Sequence, residues 1–284
     1  MTETEVADGI VAVVQEPGTM GRSNSTLIRD QNTALVVDAM LLPEMAEQVV
    51  TVADRLGVEV GTVLHTHHHA DHCGGNSVFG GARIVAHTPT APDIGRVLGE
   101  SSLLDKIMPW YAGRFATLGA RVPEAIDVAE LDIPLDGQAL VFGPAHSFHD
   151  VALWFPGSRV LIAADLCFSG VTPLGLHGSL PGWAEALGEL IALDPEIVVP
   201  GHGPVTGPRT LADMRGYLVG LVAAAEAAVR TGGDVDDALA EFDPGPIGDW
   251  LEDSRTRQNM TKAIGEARDR AGYLPGRGPV PRSK

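Results

Sequence analysis

The chain has 284 residues, 44% of them hydrophobic, so it is long enough to form one large domain or two smaller ones around a sizeable core. Its 20 basic and 37 acidic residues give a formal net charge of −17, and this negative field would repel phosphate backbones, which argues against nucleic acid as a partner. The N-terminal residues lack the pattern of a secretory signal and no apolar run approaches the length of a membrane span, so we expect a cytoplasmic protein with no membrane partner.

The first part of the chain alternates short strands with one helix. Short β-branched segments bounded by Gly, Pro, Asn and Asp predict strands over 10–16, 25–30 and 33–39. Apolar residues at helical spacing then predict a helix over 43–56, and a buried strand follows at 58–64.

A dense histidine cluster begins where the strand at 58–64 ends. The eight residues HTHHHADH, 65–72, contain five histidines and one aspartate. Buried imidazoles must each find a hydrogen-bond partner or a metal, so the cluster indicates a metal site. It lies at the carboxyl end of a predicted strand, where layered α/β folds place their binding sites.

The middle of the chain is less regular. A strand is predicted over 82–86, and the stretch 88–135 has helical character near 91–107. The aromatic residues Trp110 and Tyr111 in this stretch fit either a core or a lid over a site, so they are candidate substrate contacts.

The second half again places polar, histidine-bearing loops after strands and then becomes helical. Strands are predicted over 138–143, 151–155, 159–164 and 196–201, and helices over 182–192, 209–230, 235–242 and 247–272. The tail after these helices has the composition of a disordered end.

Three isolated polar residues follow apolar strands in the second half: His146, Asp165 and His202. A lone histidine at a strand end is usually structural, but three such positions at the same edge of one predicted sheet stack favour a metal site. The candidate metal ligands are His67, His69, Asp71, His72, His146, Asp165 and His202. Seven ligands are too many for one tetrahedral ion and fit two ions that share a bridge.

Loop geometry suggests how these donors divide. In an extended loop His67 and His69 point to one side, whereas Asp71 and His72 in the following turn can face a neighbouring ion. The carboxylate of Asp165 could span two ions roughly 3.5–4 Å apart. We therefore expect a bridging hydroxide, oriented by Asp71 and Asp165 as the catalytic residues.

The order and spacing of these motifs resemble the metallo-β-lactamase superfamily over about residues 5–208. The resemblance implies an αββα sandwich over 1–208. The sequence pattern itself predicts a lid-like inserted segment near 88–135 and a helical C-terminal extension over 209–284, packed on the same domain, whose last ten or so residues are expected to be disordered. The resemblance also implies a first ion on His67, His69 and His146, and a second on Asp71, His72 and His202, with Asp165 between them.

A narrower resemblance appears in SGVTP after Asp165 and in DPEIVVPGHGPVTGP, 194–208. These segments are similar to the metallo-β-lactamase-like thioesterase/cyclases of bacterial aromatic polyketide pathways. The resemblance implies thioester hydrolysis or ring closure on a small acyl substrate, either free or bound to an acyl carrier protein.

Other functions of the same fold stay open at this point. They are glyoxalase II-like, lactonase or β-lactamase activity and a mononuclear-iron persulfide dioxygenase. The donor set suits two zinc ions, with iron or manganese as alternatives, and Cys167 is an alternative thiolate ligand. We expect Cys73 and Cys167 to be reduced. The oligomeric state is not readable from the sequence.

Three further residues are expected to support the site or contact substrate. His149 follows His146 by three positions and is predicted to hydrogen-bond that ligand or its loop. His177 is expected near the pocket mouth. Asp38 ends a predicted strand, and the resemblance to the superfamily implies that an aspartate at this position hydrogen-bonds a ligand.

Overall fold

The computed structural model describes residues 1–118 and 121–271, together with the backbone of 273–274 and 278–279. Two β-sheets stack face to face, and helices cover both outer faces. This arrangement confirms the predicted αββα sandwich. No helix in the described part of the chain has both the length and the apolar character that a membrane span requires.

The first sheet has seven strands in sequence order, antiparallel from the first to the fourth and parallel from the fourth to the seventh. They are β1 (Thr2–Ala7), β2 (Ile10–Val14), β3 (Ser25–Asp30), β4 (Thr33–Val37), β5 (Glu59–His65), β6 (Arg83–His87) and β7 (Glu124–Ile126). The predicted strands are all present. The sequence did not indicate β1, whose first four residues are exposed at the sheet edge, or β7, which has only three residues.

The second sheet has four strands in the order β11-β10-β9-β8, with β10 and β11 parallel and the other pairs antiparallel. They are β8 (Gln138–Phe142), β9 (Asp150–Phe155), β10 (Val160–Phe168) and β11 (Ile197–His202). The prediction that Asp165 ends its strand is wrong, because β10 continues to Phe168. The backbone is irregular at this point: Ala164 has a φ of 46°, and the register with β11 shifts on both sides of it.

Eight α-helices are described. They are α1 (Pro43–Leu56), α2 (Ala70–Cys73), α3 (Ala91–Gly99), α4 (Ser101–Ile107), α5 (Leu180–Ala192), α6 (Pro208–Thr231), α7 (Val235–Ala240) and α8 (Arg255–Arg270). The helix predicted over 247–272 begins later than expected, because residues Gly245–Asp249 form a separate 3₁₀ turn.

The helices cover the sheets with apolar faces. Helix α1 buries Ala46, Val49 and Val52 against the first sheet, and helices α5, α6 and α8 pack together over the second. The division of the chain at residue 208 stays a prediction. The predicted disorder of the last ten or so residues concerns a stretch that lies outside the described residues, apart from the backbone of Gly278–Pro279.

Candidate metal centre

One edge of the sandwich collects the predicted ligands from both sheets. The loop after β5 carries His67 and His69, and helix α2 carries Asp71 and His72. The second sheet supplies the other three: His146 comes from the β8–β9 loop, Asp165 from β10 and His202 from the end of β11. The sites are therefore held by backbone from two separate sheets.

Backbone hydrogen bonds join the two sheets beside these residues. The amide of Val151 donates to the carbonyl of Thr66 over 2.9 Å. The buried side-chain amide of Asn24 donates to the carbonyls of Pro200 and Gly203, at 2.9 and 2.8 Å. These bonds fix the position of the β5 loop relative to β9 and of the β11 end relative to β3.

Gly201 leaves the space that the Asp165 carboxylate occupies. A Cβ atom at position 201 would lie 1.9 Å from Asp165 Oδ1. Because no side chain can share that space, the glycine next to His202 is required by close packing rather than by backbone conformation.

The first donor group consists of His67, His69, His146 and one oxygen of Asp165. His69 Nδ1 lies 3.0 Å from His67 Nε2 and 3.0 Å from His146 Nε2. Asp165 Oδ2 lies 3.7 Å from His67 Nε2 and 3.2 Å from His146 Nε2. All four donor atoms therefore converge on one point.

The second donor group consists of Asp71, His72 and His202. His202 Nε2 lies 3.2 Å from Asp71 Oδ2, and the other oxygen of Asp165, Oδ1, lies 3.0 Å from His72 Nε2 and 3.6 Å from His202 Nε2. The two carboxylate oxygens of Asp165 thus face different groups. Asp165 therefore lies between the two donor groups.

Hydrogen bonds behind the second group fix which nitrogen of each ring carries the proton. His72 Nδ1 donates to Asp38 Oδ2 over 2.8 Å, and His202 Nδ1 donates to the carbonyl of Gly18 over 2.9 Å. A neutral ring then presents the lone pair of Nε2 to the site.

The same logic holds for His67. The hydroxyl of Thr66 donates to Asp38 Oδ2 over 2.8 Å, since a carboxylate can only accept. The oxygen of the same hydroxyl accepts from His67 Nδ1 at 3.0 Å. His67 Nε2 is therefore also a lone pair facing the site. Asp38 thus hydrogen-bonds directly to His72 and, through Thr66, to His67.

These assignments place acceptors opposite one another. His72 Nε2 faces Asp165 Oδ1 at 3.0 Å, and neither of these buried atoms has a hydrogen-bond donor. Two acceptors at such a distance repel each other unless a proton or a metal cation lies between them. The residues of the site therefore fit a cation.

The pKa shifts show the same demand for positive charge. Burial alone would lower the pKa of His72, but the carboxylates of Asp165 and Asp38 outweigh it and raise this pKa well above its usual value. Burial, together with neighbouring imidazoles, lowers the pKa of His67 and of His69 well below the usual value. The carboxylates thus favour positive charge in the site while protons on His67 and His69 are unfavourable, and divalent metal ions would supply that charge.

The carboxylates of the site stay ionised. Burial opposes ionisation of Asp165, but His72, His202 and His146 outweigh it and hold the pKa of Asp165 well below its usual value. Burial likewise opposes ionisation of Asp71, while His202 and His72 lower its pKa.

The donor spacing fits metal coordination. A zinc ion about 2.0–2.1 Å from each ligand holds tetrahedral donors about 3.4 Å apart, and the donor contacts given above span 3.0 to 3.7 Å. The donor atoms of each group lie within 4.8 Å of one another, so these residues fit divalent metal ions.

A cavity of about 390 Å³ opens onto both groups. His69, His146, Asp165 and His202 line its floor, together with Asp71. Helices α3 and α4, from the predicted inserted segment, form one wall, and the loop after β10 forms another.

His177 contacts a ligand, whereas His149 uses its backbone. His177 Nδ1 lies 2.8 Å from His69 Nε2, and the His177 ring lines the cavity. The backbone amide and carbonyl of His149 bond to the hydroxyl of Ser147, which neighbours His146.

Trp110 and Tyr111 lie outside the metal cavity. Both line a separate recess of about 350 Å³ next to it, with Arg22 and Glu252. The prediction that they contact a substrate in the metal cavity therefore lacks structural support, because neither residue is among those that line that cavity. Tyr111 is buried against Phe115.

Cys167 lies in the apolar core behind the second sheet, among residues of α5 and α6. Burial and the charge of Asp165 raise the pKa of its thiol. The donor groups within the described chain contain histidine and aspartate and not Cys167, so the thiolate alternative is wrong for this arrangement.

Sequence reasoning did not predict several residues of the cavity, among them His68 and Arg255. His68 lines it and stacks on Phe148, with ring centroids 5.8 Å apart. Arg255 of α8 also lines it, although it is buried and bonded to the carbonyl of Thr172 and to Glu252. His68 could have been noticed from its place between two ligands, but no sequence signal connects Arg255 with a site 50 residues or more away.

A family model described as the metallo-beta-lactamase superfamily matches residues 18–202, which is more than half of the chain. The chain belongs to this superfamily. Among solved structures, a metallo-beta-lactamase from Pontibacter korlensis superposes with a TM-score of 0.59 and 18% identity, over 77% of this chain and 98% of that one. At this identity the likeness shows the fold.

Two curated relatives are similar over about half of the chain. A hydroxyacylglutathione hydrolase from Rhodospirillum rubrum is 30% identical over 161 residues, 57% of this chain and 55% of that protein. The 2,4-dinitroanisole O-demethylase subunit alpha of Nocardioides sp. strain JS1661 is 31% identical over 150 residues, 50% of this chain and 40% of that protein. The chain thus spans about half the length, or less, of these relatives.

Proposed function

We propose that the protein is a hydrolase that uses two divalent metal ions, most simply zinc, to cleave a thioester or a related acyl bond. The observation that carries the proposal is the position of Asp165, whose two oxygens face two separate groups of imidazole lone pairs. The relatives named hydroxyacylglutathione hydrolase support hydrolysis of an acyl compound.

Two ions held by these residues would lower the pKa of a water molecule toward neutrality and polarise the substrate carbonyl. The chain's own residues then orient the reactants. The side chain of Asp71 is 16% exposed, against 4% for Asp165, and it lines the cavity. Its ionised carboxylate can therefore accept a hydrogen bond from water and orient it.

His177 offers a hydrogen-bond donor at the cavity mouth. With Nδ1 accepting from His69, the neutral ring of His177 carries its proton on Nε2. A thiolate leaving group needs little help from such an acid, whereas the amine leaving group of an amide or lactam would need it.

The finer proposal is a thioesterase/cyclase that acts on a polyketide, either free or bound to an acyl carrier protein. It rests on the sequence resemblance around SGVTP and not on the relatives above. Glyoxalase II-like, lactonase and β-lactamase activities use the same donor groups and are the alternatives to be assayed beside it.

The test combines metal analysis with a substrate panel. We expect about two divalent ions per chain and turnover of an acyl thioester, with an aryl ester, a lactone, a chromogenic lactam and 2,4-dinitroanisole assayed in parallel. Asp165→Ala should lose most turnover and bound metal, because it removes the shared ligand, whereas the control His149→Ala should keep both.

Two results would contradict the proposal. Intact metal content and turnover in Asp165→Ala would show that Asp165 does not bridge. One iron per chain without hydrolysis of any substrate would favour the persulfide dioxygenase alternative.

A further inference from the structure

The mouth of the metal cavity is surrounded by large apolar side chains that are half exposed. Leu103 and Ile107 on α4 are 46% and 47% exposed, and Phe148 and Leu176 on two loops of the second half are 48% and 50% exposed. All four line the cavity. Exposed apolar surface that is gathered around one opening marks a binding site rather than ordinary surface composition.

The local structure presents these side chains to the opening. Leu103 and Ile107 are four residues apart on α4 and therefore lie on the same face of the helix. Deeper in the cavity the wall stays apolar, with Val97 and Met108 on one side and Leu174 on the other. An apolar path thus leads from the mouth to the donor groups.

The stacked pair of Phe148 and His68 continues this path. The His68 ring lies nearly parallel to Phe148, at an interplanar angle of 15°, and 4.6 Å from the ring of His69. The stacked pair lines the cavity and so extends its aromatic surface toward the first donor group.

The cationic groups of the cavity wall are already paired. Arg96 lies 3.0 Å from Asp93, and Arg255 lies 2.6 Å from Glu252. Arg96 and Arg255 are the arginines among the described residues that line the cavity, and no lysine is among those residues. A strongly anionic substrate body would find no unpaired cation here, whereas an uncharged apolar body would contact the walls.

We infer that the substrate of this site carries an extended apolar acyl group, which lies between α4 and the loops at Phe148 and Leu176 while the scissile carbonyl reaches the donor groups. This inference rests on the proposed hydrolytic function and names its substrate class. The cavity volume is within the range that holds a drug-sized ligand.

The first experiment measures kcat/KM for a series of straight-chain acyl thioesters of N-acetylcysteamine, from acetyl to decanoyl, with the metal-loaded protein. Each buried methylene should raise kcat/KM by up to about fourfold, so decanoyl should exceed acetyl by about 100-fold or more. A flat dependence on chain length would overturn the inference.

Two variants locate the effect. The double variant Leu103→Ser, Ile107→Ser should lower kcat/KM for the decanoyl thioester by about tenfold or more, because two apolar contacts are lost, and lower that for the acetyl thioester by a much smaller factor. Val219→Ser is the matched control, since Val219 is 46% exposed on α6 and does not line the cavity. Equal effects of the double variant on both thioesters would contradict the inference.

A binding measurement separates this inference from the proposed hydrolysis. The uncharged fluorescent probe N-phenyl-1-naphthylamine should bind the wild-type protein and Val219→Ser alike, and the double serine variant at least tenfold more weakly. If no thioester is turned over but this pattern holds, the hydrolytic proposal fails and the apolar ligand site stands. Equal probe binding by all three proteins would overturn it.

The alternative role of the four exposed apolar side chains at the mouth is to bind a membrane or a second copy of the chain. Two measurements test it: cosedimentation with phosphatidylcholine vesicles, and dimer formation as the protein concentration rises. The inference would be overturned if either was observed and was abolished in the double variant, while kcat/KM did not depend on acyl chain length.

Discussion

The two donor groups of the metal centre differ in what lies behind their imidazole rings. In the second group, His72 and His202 donate to buried acceptors, the carboxylate of Asp38 and the carbonyl of Gly18. In the first group, His67 is also held by a buried group, the hydroxyl of Thr66. However, His69 bonds to the exposed ring of His177, and the outer nitrogen of His146 is buried without a partner. The second group is therefore held by the protein interior and the first partly by the cavity wall.

This difference predicts that the two groups differ in metal affinity and in contact with substrate. Ligands whose outer nitrogens are fixed by buried groups lose little freedom when an ion binds, so the second group should bind its ion more tightly. The first group lies beside the apolar mouth, and its His69–His177 contact is open to whatever enters the cavity. Metal affinity and substrate contact can thus be changed separately.

The largest effect should come from a change that disturbs both groups together. Gly201→Ala would place a methyl group against Asp165 Oδ1, and overpacking of this kind costs about 1–3 kcal/mol. Because the displaced carboxylate serves both groups, we expect both ions to bind about 100-fold more weakly or worse, as measured by titration of the metal-free protein.

Gly207→Ala is the control for that variant. A Cβ atom at position 207 would meet its nearest neighbour, the carbonyl of Glu196, at 3.9 Å, an ordinary contact. Should Gly201→Ala bind both ions like the wild type, the packing of Asp165 against Gly201 would be irrelevant to the centre.

The second prediction concerns the interior support of the second group. Asp38→Asn keeps the shape of the side chain and tolerates the φ of 64° at this position. The carboxylate of Asp38 accepts three hydrogen bonds, from the ring of His72 and from the backbone amide and the hydroxyl of Thr66. The side-chain amide of asparagine has only one oxygen and cannot accept all three in the same arrangement. His67 of the first group depends on Asp38 only through the hydroxyl of Thr66. We therefore expect the tighter of the two metal-binding steps to weaken by about 10–100-fold and the looser step to weaken by a smaller factor.

A control carboxylate is available away from the cavity. Asp127 accepts a hydrogen bond from the amide of Ala129 at the start of a surface turn, so Asp127→Asn should leave both binding steps unchanged. If Asp38→Asn weakened only the looser step, the assignment of the tighter step to the second group would be wrong.

The strand positions and donor positions were predictable because their signals are local. An apolar run of four to six residues that ends in a histidine indicates a buried strand with a polar end, as at His202, and parallel strands bring such ends to one edge. The same reasoning erred at Asp165, since a kinked strand that continues past a polar residue has the same sequence pattern as a strand that stops there.

The missed features depend on packing between distant segments. Arg255 reaches the cavity only because α8 packs on α6 and the 3₁₀ turn at Gly245–Asp249 sets where α8 begins. Trp110 and Tyr111 closely follow the cavity-lining helix α4 in the sequence, but they lie on a separate 3₁₀ turn and line a separate recess. The spacing of apolar residues in the sequence does not predict where such turns place their side chains.

The smallest effect is expected at the exposed support of the first group. His177→Ala removes the acceptor of His69 Nε2, but water can replace it at this exposed position, so we expect the looser metal-binding step to weaken by about tenfold or less. The tighter step should not change. His177→Asn should restore part of the affinity, because its amide oxygen can accept the same hydrogen bond, and His149→Ala should bind both ions like the wild type. The measurement is competition against a chromophoric chelator, with each binding step fitted separately. If His177→Ala weakened both binding steps equally, or if His149→Ala weakened metal binding to the same extent, the two groups would not be held independently. The distinction between an ion held by the interior and an ion held by the cavity wall would then be wrong.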